Sequence, residues 1–343
     1  MTALHARLPP WSGEPAVLRK GDPAASLPVL PEALSYLADG DVVRVVPQAG
    51  EIAVLYRRAS PHNAMLLTER CNSRCVMCSQ PPKEADDGHL VDVWLRAIPL
   101  MAPSTQVLGI TGGEPTLLGD RFLELLCACR MHLPATALHV LSNGRSFHSL
   151  SQTRAVAAVE HPALTFGIPL YSDLAWRHDF VVQAEGAFDQ TVRGIVNLER
   201  CGVRVEVRVV IHRETVGRLP DLARFIARNL PFVEHVALMG LELMGFARPN
   251  LEALWVEPVS YQAELRAAVN ELRYARMNVS IYNHPLCVLD RRLWPFARRS
   301  ISDWKNDYLP VCHTCGVKDR CGGFFASSKL RYPSGISPVP SGL

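Results

Sequence analysis

The chain has 343 residues, with 36 Lys plus Arg against 33 Asp plus Glu, a net charge of +3, and 48% hydrophobic residues. This length suits one large domain with appendages, and the composition supplies a sizeable core. So mild a charge gives no ground for a nucleic-acid partner. No run of about 18 apolar residues exists to span a membrane. The N-terminus, "MTALHARLPPWSGEP", lacks an apolar segment, so no signal peptide is expected and a cytoplasmic location follows. In that reducing compartment the ten cysteines read as metal ligands, catalytic groups or buried small hydrophobes rather than disulfides.

Residues 1–60 read as an N-terminal extension. Pro and Gly are frequent to about residue 41, and "DVVRVVPQAGEIAVLYRR" then gives two β-rich runs around the turn signal Pro47–Gly50, a hairpin. From residue 63 short apolar runs alternate with helical patterns. Strands are expected over 64–69, 106–111, 137–143, 164–171, 204–211 and 235–241. Helices are expected over 89–101, 120–132, 150–160, 187–201 and 219–229, and residues 172–186 read as a long loop. Alternating β and α units imply a parallel sheet covered by helices, either a barrel two units short of eight or an open doubly wound sheet. Both place function at the C-terminal ends of the strands. Beyond residue 245 a helix is expected over 258–276 and a strand over 278–283, followed by a cysteine-rich loop. The tail, "YPSGISPVPSGL", is rich in Pro, Ser and Gly and reads as loosely ordered. The expected divisions are 1–60, 61–245, 246–332 and 333–343.

"LLTERCNSRCVMCSQPP" sets Cys71, Cys75 and Cys78 at C-x3-C-x2-C, directly after the first expected strand. Soft thiolates select Fe–S clusters, zinc or Cu(I). A [4Fe–4S] cubane normally takes one cysteine per iron, so three leave one iron free for an outside ligand. A structural zinc completed by a nearby His or a distant Cys is the competing reading, and the cluster is favoured over it. "TGGEPTL" follows the second strand: Gly112 and Gly113 allow a close backbone approach to a ligand, Glu114 offers a carboxylate to an ammonium group, and Pro115 stiffens the loop.

Together the two motifs resemble the radical S-adenosylmethionine (radical SAM) superfamily. The resemblance covers residues 63–245 and implies a partial (β/α)6 barrel, an α/β fold. It implies that Cys71, Cys75 and Cys78 hold a [4Fe–4S] cluster whose free iron takes the amino and carboxylate groups of SAM, with Gly112–Pro115 at the amino group. Met77 departs from the aromatic residue usual before the third cysteine, and it too can pack on adenine. Asn143 ends the third strand, Ser172 follows the fourth, and Met239 ends the sixth, where the superfamily often contacts adenine by backbone. On the fifth strand Glu206, Arg208 and Val210 share one face, toward the barrel interior. There Arg208 either meets the SAM carboxylate or pairs internally with Glu206.

A second set, Cys287, Cys312, Cys315 and Cys321, lies beyond the barrel. Four thiols close a site for a second [4Fe–4S] cluster or for one zinc. The set resembles the auxiliary-cluster extensions called SPASM and twitch, the shorter twitch type in particular. Cys127, Cys129 and Cys201 read as buried apolar thiols. Among histidines such as His178, His212, His235 and His313, most of which are expected to be neither ligands nor acid–base groups, His178–Asp179 in the 172–186 loop over the reactive face is the pair to watch. "RRLWPFARR" reads as a solvated basic face.

The resemblance implies reductive cleavage of SAM to a 5′-deoxyadenosyl radical, which removes hydrogen from the substrate, with flavodoxin or ferredoxin as electron donor. The details "LTERCNSRCVMCSQPPK", "ITGGEPTLL" and "DRCGGFFASS" look most like the His-Xaa-Ser peptide maturases of the HxsC type. That implies a ribosomally made precursor peptide and a partner radical SAM maturase. A radical SAM enzyme acting on a small or nucleotide-like molecule is the alternative, and a non-enzymatic Fe–S or zinc scaffold is the alternative of another class.

Overall fold

The computed structural model describes residues 6–7, 32–46, 51–299 and 307–341. Near the N-terminus, β1 (Ala6–Arg7), β2 (Val42–Val46) and β3 (Glu51–Tyr56) form an antiparallel sheet in the order β1-β3-β2. The expected Pro47–Gly50 turn lies outside the described residues. Tyr56 is buried, and its hydroxyl shares a 2.7 Å hydrogen bond with Thr105 Oγ1. That bond docks the small sheet on the larger one.

The body is a parallel sheet of seven strands: β4 (Asn63–Leu66), β5 (Val107–Thr111), β6 (Ala137–Leu141), β7 (Leu164–Pro169), β8 (Arg204–Ile211), β9 (His235–Gly240) and β10 (Val279–Tyr282). Neighbours in sequence are neighbours in the sheet, and β4 and β10 are its edges. The helices are α1 (His89–Ala97), α2 (Asp120–His132), α3 (Leu150–Ala157), α4 (Ala175–Val182), α5 (Ala187–Arg200), α6 (Arg213–Val216), α7 (Leu219–Asn229), α8 (Leu251–Leu254) and α9 (Gln262–Tyr274). This is a partial α/β barrel, an ordered parallel sheet with two free ends. No helix among the described residues is long and apolar enough to cross a membrane.

Strand β8 shows how the sequence sets the layers. Val205, Val207, Val209 and Ile211 are buried in the core shared with α5 and α7, while Glu206 and Arg208 alternate to the opposite face. There Glu206 accepts from Arg208 Nη1 at 2.6 Å and pairs with His235 Nδ1 at 2.8 Å, and His235 Nε2 meets Ser280 Oγ at 3.0 Å. Residues of β8, β9 and β10 thus share one polar network on the inner face of the barrel.

The structure departs from expectation in three places. Residues 172–186 are not a loop: α4 occupies 175–182, with His178, Val181 and Val182 buried at helical spacing. The strand at 279–282 belongs to the barrel, paired in parallel with β9. The tail folds back, with Val339 buried and its carbonyl accepting from Gly316 N–H at 2.8 Å.

Candidate functional site

Cys71, Cys75 and Cys78 lie on the loop after β4, which has no regular structure of its own. Three neighbouring segments brace it. The end of α4 receives Arg74 N–H at the Val182 carbonyl (3.0 Å) and Val76 N–H at the Val181 carbonyl (2.9 Å). From the loop after β6, Arg145 donates to the Asn72 carbonyl and to Ser73 Oγ. From the segment after β9, Phe246 N–H reaches the Cys78 carbonyl (2.8 Å) and Asn250 Nδ2 the Val76 carbonyl (2.8 Å).

All three thiols are pushed up by burial, Cys71 to about 11 and Cys75 to about 12, and Cys75 feels both of the other sulfurs. Three mutually interacting, partly accessible thiols fit a soft metal group that binds them deprotonated. Among the described residues, no three His, Cys, Asp or Glu side chains are grouped so as to hold a metal ion. A [4Fe–4S] cubane takes one thiolate per iron, and three cysteines are the donor set for three of its irons.

Gly112 and Gly113 make a close approach within the chain itself. A Cβ on Gly113 would lie 2.2 Å from the Arg70 carbonyl oxygen, and one on Gly112 would lie 2.7 Å from that of Thr68. Gly113 N–H bonds the Thr68 carbonyl (2.7 Å) and Glu114 N–H the Arg70 carbonyl (2.8 Å). The glycines therefore let the second loop pack against the chain leading into the cysteines.

Glu114 is fully buried. Its Oε1 accepts from Thr116 N–H (3.1 Å), Thr116 Oγ1 (2.6 Å) and Ser142 Oγ (2.8 Å), and its Oε2 from Asn143 N–H (2.6 Å). Burial pushes its carboxyl up, against these donors. Glu114 thus ties the second loop to the third. Pro115 opens the short 3-10 turn Pro115–Leu118.

Asn143 lies beside the first cysteine, its Nδ2 bonding Asn72 Oδ1 (2.6 Å) and standing 4.0 Å from Cys71 Sγ. Met77 is buried in a cluster with Tyr171, Val181 and Val182. Ser172 is buried and its Oγ accepts from Leu174 N–H ahead of α4. Arg208 takes the internal pairing: besides Glu206, its Nη2 lies 3.2 Å from Met239 Sδ. His178 is buried, pushed down to about 4 by burial, and its Nδ1 accepts from Tyr171 N–H. Asp179 accepts from Gly186 and Phe188 N–H at the start of α5. Both members of this pair have structural bonds, so the acid–base expectation loses its basis.

Sequence reasoning missed Arg145 and Asn250, whose only signal was polarity beside a reactive loop. Of the leftover cysteines, Cys129 is buried as expected, whereas Cys127 is exposed.

The thiols of the second set also act on one another. Cys287 feels Cys321 and Cys312, and Cys321 feels Cys315 and Cys312. Cys321 Sγ accepts from Leu286 N–H (3.3 Å) and Gly323 N–H (3.4 Å), as sulfurs of metal–thiolate sites do. Between this set and the barrel lies a cavity of about 40 Å³, walled by Gly240, Asn283, His284, Trp255, Gly322 and Phe324 among others. His284 is buried there, with Nε2 2.7 Å from the Tyr261 hydroxyl.

Residues 65–226 match the Radical SAM superfamily profile. The chain is 30% identical over 172 residues to the mycofactocin maturase MftC of Mycolicibacterium smegmatis, covering 47% of this chain and 40% of that protein. It is 26% identical over 160 residues to the Fe-coproporphyrin III synthase of Methanosarcina barkeri, covering 46% of this chain and 38% of that protein. The matches thus span less than half the length of these relatives. The fold is similar to that of SuiB from Streptococcus suis bound to S-adenosylmethionine, with a TM-score of 0.52, 15% identity, and coverage of 66% of this chain and 51% of that one.

Proposed function

We propose that this chain, a radical SAM protein over residues 65–226, cleaves S-adenosylmethionine at Cys71, Cys75 and Cys78 and modifies a ribosomally made precursor peptide, as a His-Xaa-Ser-type maturase. The observation that carries the peptide reading is where the two cysteine sets hang. β4 ends at Leu66 and Cys71 lies five residues on; β10 ends at Tyr282 and Cys287 lies five residues on. Each tether reaches at most about 18 Å. Since β4 and β10 are the two edges of the sheet, the open side of the barrel is flanked by one set on each strand. A long polypeptide can lie along an open seam, whereas a closed barrel presents only its mouth. The likeness to a maturase supports the reading, as does the fold shared with SuiB, which has been seen bound to its precursor peptide SuiA.

Bound at the first set, a [4Fe–4S] cluster and S-adenosylmethionine supply one-electron cleavage of the sulfonium and hydrogen-atom abstraction from the substrate. Cys71, Cys75 and Cys78 hold the cluster. Gly112–Pro115 present backbone groups to the amino group of SAM, with Glu114 fixing the loop. Asn143 and Ser172 border the cofactor, while Met77 and the backbone at Met239 and Gly240 offer apolar surface to adenine. Arg208 reaches the cofactor carboxylate only if it leaves Glu206. Cys287, Cys312, Cys315 and Cys321 hold an auxiliary [4Fe–4S] cluster. The electron donor is a flavodoxin or ferredoxin in the cytoplasm, and a second radical SAM maturase is the partner.

A second reading, a small-molecule substrate, is favoured by the likeness to Fe-coproporphyrin III synthase. Anaerobic incubation with SAM, dithionite and either a His-Xaa-Ser repeat peptide or small precursors, followed by mass spectrometry, separates the two. Oxidation or cross-linking of the peptide lowers its mass by about 2 Da per event. A peptide that keeps its mass while a small precursor changes would sink the peptide reading.

A further inference from the structure

The last residues of the chain touch the second cysteine set. Val339 N–H points at Cys315 Sγ at 3.4 Å. The Val339 carbonyl accepts from Gly316 N–H at 2.8 Å, one residue past Cys315. Gly316 makes room for this crossing: a Cβ there would lie 2.5 Å from Ser341 Cα. Upstream, Ser334 donates from both N–H and Oγ to Glu257 Oε2, at 2.9 and 3.0 Å. The segment is therefore pinned at both ends, although it has no regular structure.

We propose that residues 335–341 are a strap that completes the second cysteine site, supplying a backbone N–H donor that holds Cys315 as a metal-bound thiolate. Leu286 and Gly323 already give Cys321 two such donors, so the strap extends the same provision to a second of the four sulfurs, Cys315. A thiolate that accepts an N–H bond carries less charge on sulfur, which stabilises a reduced cluster and raises its potential. Losing a bond that orients a metal ligand costs about 10- to 100-fold in metal affinity. The segment's composition suggests the reverse, a free tail. However, prolines at 338 and 340 restrict the backbone on either side of Val339 and lower the entropy cost of holding it in place.

This inference rests on the reading of the second set as a cluster site, and the experiment separates the two. The full chain carrying Cys71→Ala, Cys75→Ala and Cys78→Ala is reconstituted anaerobically, so that all remaining iron, about four atoms, belongs to the second set. Three further changes are made in it: termination after Ser334, Val339→Pro and Val339→Ala. Termination and Val339→Pro remove the donor to Cys315, whereas Val339→Ala keeps it and trims only the side chain. Iron release to a chelator should be about 10- to 100-fold faster in the first two, and the cluster potential should fall, with Val339→Ala close to its parent. Release from Val339→Pro at the parental rate, or equal acceleration by Val339→Ala, would overturn the strap. A parent holding no metal overturns the cluster reading and the strap together. A parent holding one zinc overturns only the cluster reading, and the same release rates then judge the strap.

Discussion

Replacing Glu114 by Gln tests whether this residue is a ligand-facing carboxylate or an internal tie. The side chain keeps its size and loses one acceptor. Four donors converge on the carboxylate: Thr116 N–H, Thr116 Oγ1, Ser142 Oγ and Asn143 N–H. The two hydroxyls can turn to accept from an amide NH2, but the two backbone N–H groups cannot. If the amide nitrogen takes the Oε2 position, Asn143 N–H loses its partner; if it takes the Oε1 position, Thr116 N–H does. Either way one buried donor is orphaned, which costs about 1–3 kcal/mol. With a urea slope of about 3 kcal/mol/M for a chain of this size, the midpoint falls by about 0.3–1 M. Glu114→Ala orphans all four and leaves a void, so about 3–5 kcal/mol is expected. The assay is urea unfolding of the metal-free chain, followed by circular dichroism at pH 7, with SAM binding measured separately on reconstituted protein. A Gln variant with the parental midpoint and slope but weakened SAM binding would refute the tie and restore Glu114 as a direct ligand.

The other tests are shorter. Reconstituted protein should carry about eight irons, and Cys71→Ala, Cys75→Ala and Cys78→Ala together should leave about four; iron falling to zero would mean that the second set binds none. With dithionite and SAM the parent should release 5′-deoxyadenosine and Cys71→Ala none, as read by liquid chromatography; undiminished release from the variant contradicts the assigned ligand. Asp173 accepts from Arg218 Nε (2.8 Å) and Nη2 (2.5 Å), and Arg218 holds its carboxyl below the usual range. The folded value lies below the unfolded one, so this stability is fully present above about pH 4 and lost as pH falls through the folded value. Asp173→Asn should cost about 1–2 kcal/mol at pH 7 and progressively less below pH 4; a pH-independent difference would discount the pair.

Segments with one strong period and clear ends were legible. Helix 120–132, strand 204–211 and helix 219–229 lie where the sequence places them. In strand 204–211 the alternation of valines with Glu206 and Arg208 also fixed which face is buried. α4 was missed because Ser172, Asp173 and the turn residues near 183–186 mask an eight-residue helix whose buried positions number only three. The seventh strand was legible as a strand but not as part of the barrel. Between β9 and α9 lies a long irregular stretch holding only short helical turns and the four-residue α8, which hides one more β–α–β unit.

The cysteine spacings were visible at once, since thiols are rare and their side chains are the site. What holds them was invisible for a physical reason. The loop of Cys71–Cys78 is fixed largely by main-chain groups: the carbonyls of Val181 and Val182, and the N–H of Phe246. Every residue but proline carries the same N–H and every residue the same carbonyl, so no residue type announces them. The side chains that help, Arg145 and Asn250, come from 72 and 174 residues away. The glycines show the same limit from the other side. "GG" correctly signalled a close approach, but only the fold shows that the near neighbour is the Thr68 and Arg70 backbone. Packing between two loops and close approach to a ligand therefore ask for the same glycines. By the same logic, the composition that made 333–341 read as loose could not show the main-chain contact from Val339 to Cys315.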